Sequence, residues 1–271
     1  MQQITIDTLQ LPALSPYARL TEAQLRNRLN PQNGLFICES LKVIRVALAA
    51  GCVPLSFLTE EKFIATQVQP LFYQFQLDVP VYTGPRQLLA DLTGYQLSRG
   101  ILCCMHRPPL PSADQLLSSL RSSRPTSRLA VIDSVVNSEN TGAIFRAAAA
   151  LGIDALLLTP TSCDPLNRRA CRVSMGTVFQ LPWTYLDNYQ QLRSAGFTTV
   201  ALALSDRSLP INHPALQRIA HLAIILGNEG DGLSDSVLRQ CDHLARIPMH
   251  RGVDSLNVAA AAAVAFYQFC R

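Results

Sequence analysis

The stretch ILGNEGDGLS at residues 225–234 runs from an apolar segment straight into three glycines within six residues. Glycines in such a loop let the backbone come close to a ligand. A phosphate-binding loop would also carry a lysine, whereas the polar residues here are Asn228, Glu229 and Asp231, and the two acidic ones would repel phosphate. The loop therefore suits a ligand that is cationic or rich in hydroxyl and amine groups, although ordinary turns use the same residues.

The chain on both sides of this loop, from residue 128 to the C-terminus, alternates near-continuous apolar runs with segments of helical periodicity. This alternation predicts a mostly parallel sheet with helices on both faces. Ligands of such sheets bind at the carboxyl ends of the strands, where the glycine loop begins. The predicted strands are Leu129–Ile132, Ala155–Leu158, Gln180–Tyr185, Thr199–Leu204, Leu222–Leu226 and Leu244–Ile247. The predicted helices are Thr141–Leu151, Leu166–Val173, Tyr189–Ala195, Ser234–Arg239 and Ser255–Cys270.

A second, smaller α/β pattern occupies residues 1–107, and its size is typical of a domain. Its predicted strands are Gly34–Cys38, Leu55–Thr59, Val79–Tyr82 and Gly100–His106, and its predicted helices are Ser40–Ala50, Glu60–Phe72 and Arg86–Leu92. Residues 108–127 are rich in Pro, Ser and Arg, which is typical of a linker, here with one helical turn at Asp114–Leu120. The sequence thus predicts a small domain, a linker and a larger domain at 128–271.

Two further polar segments follow predicted strands of the larger domain: VIDSVVNSENTGAIFRAAAALG at 131–152 and RIPMHRGVDSLNVAAAAAVAFYQF at 246–269. In the first, Asn140 opens the predicted helix, whose first turn presents free N–H groups and partial positive charge. Asn140 is either a helix cap or a site residue, and Arg146, among alanines, is either a solvated surface residue or a placed cation. In the second, Ser255 is suited to cap the last helix, and Asn257 falls in its first turn.

The composition narrows the class of protein. With 48% hydrophobic and 15% charged residues, the chain is expected to be well packed rather than disordered. Lys42 and Lys62 are the only lysines among the 23 basic residues; arginine suits bidentate contacts to phosphate and base edges, and a GC-rich genome would give the same bias. The eight cysteines include no C-x-x-C pair, which predicts buried thiols rather than disulfides, and no metal is expected. The N-terminus lacks a secretion signal and the longest apolar stretch, Val258–Tyr267, is too short to span a membrane, so a cytoplasmic protein is expected.

Three motifs of the larger domain resemble, in order, those of the SpoU/TrmH-type RNA ribose 2′-O-methyltransferases of the SPOUT superfamily. The N-x-G-A-I-x-R pattern stands at Asn140–Arg146, the G-N-E-G-x-G-L pattern at Gly227–Leu233, and the I-P-M…S-L-N-V pattern at Ile247–Met249 and Ser255–Val258. Each motif is weak alone, but together they are specific, and the match covers about residues 128–271. A looser resemblance, through LFICESLKVIRVALAAG at 35–51, links the first part to the family's small substrate-binding domain.

The chain departs from the family pattern at two places. The family often has Asp-Pro-Gly-Asn where this chain has Asn137-Ser138-Glu139-Asn140, so the proline and glycine are lost while the last asparagine survives. Residues 172–176, Arg-Val-Ser-Met-Gly, match the family's R-x-S-x-G turn loosely. The first departure alters the rigidity of the loop, and the second weakens the case for RNA binding by this turn.

The resemblance implies an α/β fold: a C-terminal SPOUT-type parallel-sheet domain with a deep trefoil knot, preceded by a small α/β substrate-binding domain of ribosomal-protein-like fold. It also implies a homodimer, S-adenosylmethionine as cofactor and RNA as substrate. The implied cofactor-binding residues are Gly227, Asn228, Ile247, Met249 and Leu256. The implied catalytic residues are Asn140, Arg146, Glu229, Ser255 and Asn257. The candidate RNA-binding residues are Arg168, Arg169, Arg172 and Ser174; the alternative for the three arginines is a solvated helix face.

Methylation of a ribose 2′-hydroxyl in RNA is the function that the resemblance implies, and the two-domain layout favours ribosomal over transfer RNA. Arg146 is expected nearest the hydroxyl, and because a guanidinium almost never loses its proton we expect it to stabilise the developing alkoxide. The alternative is a catalytically inactive RNA-binding paralogue of the same fold. A generic nucleotide-binding α/β enzyme is a further rival, but its glycine loop would follow the first strand of the domain, whereas this loop follows the fifth.

Overall fold

The computed structural model describes residues 1–93, 100–228 and 230–271. The chain divides into two compact units. The N-terminal unit contains Met1–Pro109 and Leu166–Phe179, and the C-terminal unit contains Leu110–Pro165 and Gln180–Arg271. The chain therefore passes from one unit to the other three times. Within the described ranges, no helix combines the length and the apolar character needed to cross a bilayer.

The N-terminal unit is built on a mixed five-stranded sheet with the order β1-β4-β3-β5-β2. Its strands are β1 (Gln2–Thr5), β2 (Leu35–Glu39), β3 (Pro54–Thr59), β4 (Pro80–Thr83) and β5 (Ile101–His106). β1, β4 and β3 run parallel, whereas β5 pairs antiparallel with β3 and with β2. The sequence predicts β2 to β5 to within one residue at each end, but β1 is short and mostly polar and gives no such signal.

The helices of this unit pack around the sheet. Numbered along the whole chain, they are α1 (Ser15–Ala18), α2 (Glu22–Arg26), α3 (Leu41–Ala49), α4 (Gln69–Phe75), α5 (Arg86–Thr93) and α8 (Arg168–Val173). The buried hydroxyl of Tyr17 ties α1 to the sheet, because it donates to the carbonyl oxygen of Ser56 at 2.8 Å and accepts the N–H of Cys104 at 3.0 Å. The buried hydroxyl of Tyr17 thereby has a partner both as donor and as acceptor.

The C-terminal unit contains a seven-stranded, entirely parallel sheet with the order β10-β12-β9-β11-β6-β7-β8. Its strands are β6 (Ser127–Ile132), β7 (Ala155–Leu158), β8 (Trp183–Tyr185), β9 (Thr198–Leu202), β10 (Leu209–Pro210), β11 (His221–Leu226) and β12 (His243–Arg246). Its helices are α6 (Ala113–Ser123), α7 (Ser138–Leu151), α9 (Gln190–Ser194), α10 (Pro214–Gln217), α11 (Asp235–Gln240) and α12 (Val258–Phe269). The predicted parallel α/β sheet is confirmed; only the two-residue strand β10 was not expected.

The segment 108–127, expected to be a linker, contains a full helix instead of one helical turn. α6 begins with a capping box, in which the Ser112 hydroxyl accepts the N–H of Gln115 at 3.2 Å and the Gln115 side chain accepts the N–H of Ser112 at 3.0 Å. Its apolar residues Leu116 and Leu117 are buried in the core of the C-terminal unit. The Pro- and Ser-rich flanks resemble a linker, but the leucines between them supply an apolar helix face.

Residues 166–179 lie between β7 and β8 in the sequence, and both of these strands belong to the C-terminal unit. The segment nevertheless packs within the N-terminal unit. α8 lies against β2, and the rings of Phe36 and Phe179 are 5.6 Å apart. A Cβ atom at Gly176 would lie 2.9 Å from Cβ of Val46, and the φ of Gly176 is +87°, so both space and backbone conformation require glycine there.

A buried ion pair holds α8 on this unit. Glu39, the last residue of β2, is only 1% exposed, and Nη1 of Arg172 donates to its two carboxylate oxygens at 3.2 and 3.3 Å. Nε of Arg168 lies 3.9 Å from Oε2 of the same carboxylate. A carboxylate this deeply buried is stable only when it is paired, so α8 and β2 depend on each other.

Replacing Arg172 with methionine should therefore destabilise the protein by about 3–5 kcal/mol, because the buried Glu39 carboxylate loses the guanidinium that donates to both of its oxygens. Urea unfolding measures this change. Arg169→Met, at an exposed position of the same helix, is the control and should cost less than about 1 kcal/mol. Equal unfolding midpoints for the two variants would show that the ion pair contributes nothing.

Candidate active site

A pocket of about 530 Å³ opens at the carboxyl ends of β9, β11 and β12. Three loops form its walls, one after each of these neighbouring strands. Five residues singled out in the sequence as cofactor contacts all line it, namely Gly227, Asn228, Ile247, Met249 and Leu256. Ser255 lines it too. The structure thus brings two motifs separated by about 20 residues into one cavity, at the sheet edge where ligands of parallel sheets bind.

The lining combines apolar side chains with acidic ones. Leu202, Leu204 and Leu226 add to the apolar surface, and the charged members are Asp231, Asp235, Asp254 and Arg246. Three carboxylates against one guanidinium leave the wall negative, which favours a ligand that carries positive charge. The apolar area provides room for a flat, uncharged ring system.

The glycine loop folds back on itself directly after β11. The backbone N–H groups of Asn228 and Gly232 donate to each other's carbonyl oxygens at 3.2 Å, which makes a tight hairpin. A Cβ atom on Gly227 would lie 2.6 Å from the carbonyl carbon of Gly232 and 2.7 Å from the backbone nitrogen of Leu233. No larger residue fits at Gly227 without moving the hairpin.

The side chain of Asn228 connects this hairpin to the loop after β6 through hydrogen bonds. Its Nδ2 donates to the carbonyl oxygen of Ser134 at 2.9 Å, and its Oδ1 accepts the N–H of Gly230 at 2.7 Å. Ser134 has a φ of +56°, and its hydroxyl donates to Asp133 at 2.9 Å. The amide of Asn228 therefore shapes the pocket wall from behind, in addition to any contact that its backbone makes with a ligand.

Asp133 anchors the loop that follows β6. Its carboxylate accepts hydrogen bonds from Thr159 at 3.1 Å and from the hydroxyl of Tyr189 at 2.7 Å. Burial raises the pKa of Tyr189, and the neighbouring Asp133 carboxylate raises it further, so the phenol stays protonated and donates. These bonds fix the carbonyl of Ser134 that Asn228 binds.

Asn140 and Asn257 meet beside the pocket although 117 positions separate them in the chain. Nδ2 of Asn257 donates to Oδ1 of Asn140 at 3.0 Å, and Oδ1 of Asn257 accepts the N–H of Ala259 at 2.9 Å. Asn257 is therefore the N-cap of α12, so the prediction that Ser255 caps this helix is wrong. α7 begins at Ser138, where Asn137 is the N-cap, and so Asn140 lies in the first turn rather than at the cap.

Asn257 has two separable roles, which substitutions distinguish. Asn257→Ala should lower the stability by about 1 kcal/mol through loss of the cap, whereas Asn257→Ser keeps a capping hydroxyl and should unfold like the wild type. Both variants lose the bond to Asn140, so both should lose activity by about tenfold if that bond orients the site. Thermal unfolding and turnover measure the two effects; full activity of Asn257→Ser would limit Asn257 to capping.

Arg146 lies on the exposed side of α7, outside the lining of the pocket. It makes no hydrogen bond or ion pair with any residue in the described ranges. Asn140 and Asn257 are likewise not part of the lining. Glu229, expected among the catalytic residues, lies outside the described residues.

The candidate RNA-binding residues belong to the N-terminal unit. Arg168 and Arg172 both face the buried Glu39. Ser174 is fully buried, and its hydroxyl donates to the carbonyl oxygen of Cys171 at 2.8 Å and accepts the N–H of Gly176 at 3.2 Å. RNA contact by these residues stays a prediction; Arg169 is exposed and suits it best, whereas the buried hydroxyl of Ser174 does not favour it.

The model of the SpoU rRNA Methylase family matches residues 127–267, a range that includes every residue lining the pocket. The chain belongs to this family. An uncharacterized tRNA/rRNA methyltransferase of Mycobacterium tuberculosis is 34% identical over 266 residues, which cover 96% of this chain and 89% of that protein. This SpoU-family chain is therefore an RNA methyltransferase.

Two further proteins resemble the SpoU-family chain. The 23S rRNA (guanosine-2′-O-)-methyltransferase RlmB of Acinetobacter baylyi is 28% identical over 198 residues, covering 71% of this chain and 79% of that protein. The AdoMet-bound rRNA methyltransferase from Sinorhizobium meliloti superposes with a TM-score of 0.79 at 23% identity, covering 99% of this chain and 97% of that one. The second likeness shows that these two chains share one fold.

Sequence reasoning missed the β9 wall of the SpoU-family pocket. Leu202, Ala203 and Leu204 line it, but they continue an apolar strand and carry no polar or glycine signal. Only the strand order, which sets β9 beside β11, identifies them. The hydrogen bond from the Asn228 side chain to Ser134 was missed for a similar reason, because Ser134 lies 94 positions away in the sequence.

Proposed function

We propose that this SpoU-family methyltransferase transfers a methyl group from S-adenosylmethionine to a ribose 2′-hydroxyl, with ribosomal RNA as the preferred acceptor. The observation that carries the proposal is the pocket at the ends of β9, β11 and β12, lined by residues of two of the three family motifs. The likeness to a guanosine-2′-O-methyltransferase of 23S rRNA supports both the ribose hydroxyl and ribosomal RNA.

The residues of the pocket fit S-adenosylmethionine. Gly227 leaves no space for a side chain, so the backbone itself forms the floor and offers its polar groups to a ligand. The carboxylates of Asp231, Asp235 and Asp254 suit a sulfonium cation, and the leucines suit an adenine ring. Gly227, Ile247 and Leu256 would hold the cofactor largely through backbone groups, with Asn228 and Met249 beside them.

Methyl transfer to a hydroxyl is an in-line displacement, for which the bound cofactor supplies the methyl group. The protein must align the hydroxyl, let its proton pass to water and stabilise the negative charge that develops on its oxygen. Arg146 is the residue we assign to this charge, because it is a permanent cation on an exposed helix face and has no partner within the described ranges. Its fork of N–H groups would also bind a neighbouring phosphate.

The paired amides of Asn140 and Asn257 form the polar wall that would position the ribose. In their mutual bond Oδ1 of Asn140 accepts the amide N–H of Asn257. Glu229 and Ser255 complete the set, with Glu229 orienting Arg146 and Ser255 facing the pocket from the loop before α12.

A homodimer would complete this site, which is a second part of the proposal. Arg146 lies outside the lining of its own pocket, and the outward face of α12 carries the exposed side chains of Val264 and Tyr267. An Arg146→Ala chain mixed with a Gly227→Ala chain should then regain activity if each pocket uses the arginine of the other subunit. Light scattering measures the dimer, and no recovery on mixing would assign each Arg146 to its own pocket.

The remaining parts of the proposal follow the family resemblance. The N-terminal unit is the RNA substrate-binding domain of ribosomal-protein-like fold, and Arg169 is its best-placed contact on α8. The C-terminal unit would carry the deep trefoil knot that the family resemblance implies. The strand order, with β12 between β9 and β10, and the packing of α12 on α7 support this part of the proposal.

Labelled S-adenosylmethionine tests the acceptor. The protein is incubated with purified ribosomal RNA or with bulk transfer RNA from a strain that lacks this gene, and incorporated label is counted. Label in ribosomal RNA alone is the expected result. Label in transfer RNA alone would overturn the preference, and label in neither, although the cofactor binds by calorimetry, would favour an inactive RNA-binding protein.

A further inference from the structure

Three neighbouring strands of the N-terminal unit end on threonine in the same register. Thr5 of β1 pairs with Thr83 of β4, and Thr83 pairs with Thr59 of β3. These strands are parallel, so their carboxyl ends meet at one edge of the sheet. Crevices outside the carboxyl ends of parallel strands are the usual ligand sites of α/β sheets.

A second pocket, of about 360 Å³, lies at this edge. Its walls come from the end of β1 and from the loops that follow β3 and β4, and it lies wholly within the N-terminal unit. Its lining residues are Thr5, Glu60, Glu61, Lys62, Thr83, Gly84, Pro85 and Arg86. The volume falls in the range of small-molecule sites.

Thr83 is the residue whose environment indicates a ligand. It is 2% exposed, and its Oγ1 has no hydrogen-bond partner within the described ranges. Thr59, its neighbour in the sheet, is also buried, but its Oγ1 donates to the carbonyl oxygen of Gly100 at 2.5 Å. A buried hydroxyl without a partner lowers stability, and valine would have the same shape without that cost. Thr83 lines the pocket, so rotation of its side chain about χ1 would present the buried hydroxyl to a ligand there, which would supply the missing partner.

The charges of the lining are balanced and placed on different segments. In the loop after β3, Nζ of Lys62 lies 2.6 Å from Oε2 of Glu60. Glu61, in the same loop, also lines the pocket. Arg86 opens α5 after β4, where the first turn of the helix presents N–H groups and partial positive charge. Arginine and a helix N-terminus suit phosphate, whereas carboxylates and hydroxyls suit the amino groups of a base and the hydroxyls of a sugar.

We propose that this pocket is a binding site for a nucleoside phosphate, and that the RNA acceptor supplies it as one of its nucleotides. Arg86 and the start of α5 hold the phosphate, and Thr83, Glu60 and Glu61 contact the sugar or base. The assignment of the source rests on the proposed function, because it takes RNA to be the substrate. The site would make the N-terminal unit select a particular nucleotide rather than only attract RNA by charge.

The test uses the full chain and a fluorescently labelled single-stranded RNA, with binding measured by anisotropy at near-physiological salt. Arg86→Gln should weaken binding by about tenfold and Thr83→Val by about fivefold. Thr83→Val should at the same time raise Tm by roughly 2–4 °C, since it removes the unpaired hydroxyl. Thr83→Ser, which keeps the hydroxyl, should bind like the wild type.

Lys42→Gln is the matched control, because Lys42 is an exposed cation of the same unit outside the pocket. Equal losses for Lys42→Gln and Arg86→Gln would reduce the effect to general charge and overturn the site. Wild-type binding by both Thr83→Val and Arg86→Gln would overturn it as well. A gain in Tm together with a loss of binding would be the signature of a ligand-binding hydroxyl.

Competition identifies the ligand and its source. The four nucleoside 5′-monophosphates should displace the RNA from the wild type, one better than the rest, while inorganic phosphate at the same concentration should not. Displacement by inorganic phosphate alone would overturn the nucleoside part, and a monophosphate that binds without displacing RNA would overturn RNA as the source. Methyl transfer to RNA is measured separately. If the pocket variants weaken RNA binding but the wild type transfers no methyl group, only the proposed function is contradicted. If the wild type transfers methyl groups and the pocket variants bind RNA as it does, only this inference is contradicted.

Discussion

Arg146→Ala is expected to lower the rate of methyl transfer by about 10³-fold while leaving the affinity for S-adenosylmethionine within about twofold. The reason is electrostatic: in the proposed mechanism the guanidinium stabilises the charge that develops on the ribose oxygen. Arg146 lies outside the lining of the pocket proposed for the cofactor, so cofactor binding should change little. Turnover with labelled cofactor and calorimetric titration of the cofactor measure the two quantities.

Arg239→Ala is the matched control for this variant. Arg239 is an exposed arginine in the last turn of α11, in the same unit, and has no role in the proposed chemistry. It should retain activity within about twofold. If the Arg146→Ala enzyme were as active as the Arg239→Ala enzyme, Arg146 would have no part in the mechanism. Arg146→Lys tests whether positive charge alone suffices, since lysine lacks the planar fork of N–H groups.

Gly227→Ala is expected to raise the Kd for S-adenosylmethionine by about 100-fold. A methyl group there would stand 2.6–2.8 Å from Gly232 and Leu233, and two of the three atoms that it meets are backbone. The hairpin must open to admit it, which distorts the floor of the pocket. Calorimetry gives the affinity, and the loss of methyl transfer should follow from it.

Gly230→Ala provides the comparison within the same loop. The only described atom near a Cβ at Gly230 is Oδ1 of Asn228, at 3.4 Å, which is close to ordinary contact. This variant should bind the cofactor within about fivefold of the wild type. Similar losses for both variants would show that general rigidity of the loop, and not the crowding at Gly227, controls binding.

The sequence predicts the parallel sheet and most strands well because buried strands carry continuous apolar runs. It fails where local composition and tertiary packing disagree. α6 has the flanks of a linker and the leucines of a core helix, and β1 is short and polar but pairs with β4. The transfer of residues 166–179 to the N-terminal unit has no local signal at all, because the partner of Arg172 is Glu39, 133 positions earlier.

The candidate site follows the same division. Motifs identify Gly227, Ile247 and Leu256, and the structure brings them to one pocket. The family resemblance singles out Asn140 and Asn257 but not the hydrogen bond between them, which depends on the packing of α12 against α7. The acidic glycine loop, which by itself is weak evidence in the sequence, supplies Asp231 to the negative wall of the pocket.

Identification of the methylated atom tests the central claim most directly. Ribosomal RNA labelled by the protein with radioactive S-adenosylmethionine is hydrolysed in alkali, which cleaves next to free 2′-hydroxyls but not next to 2′-O-methyl groups. We predict that the label remains in alkali-resistant dinucleotides and is absent with the Arg146→Ala variant. Label released as mononucleotides carrying a methylated base would contradict methyl transfer to the ribose.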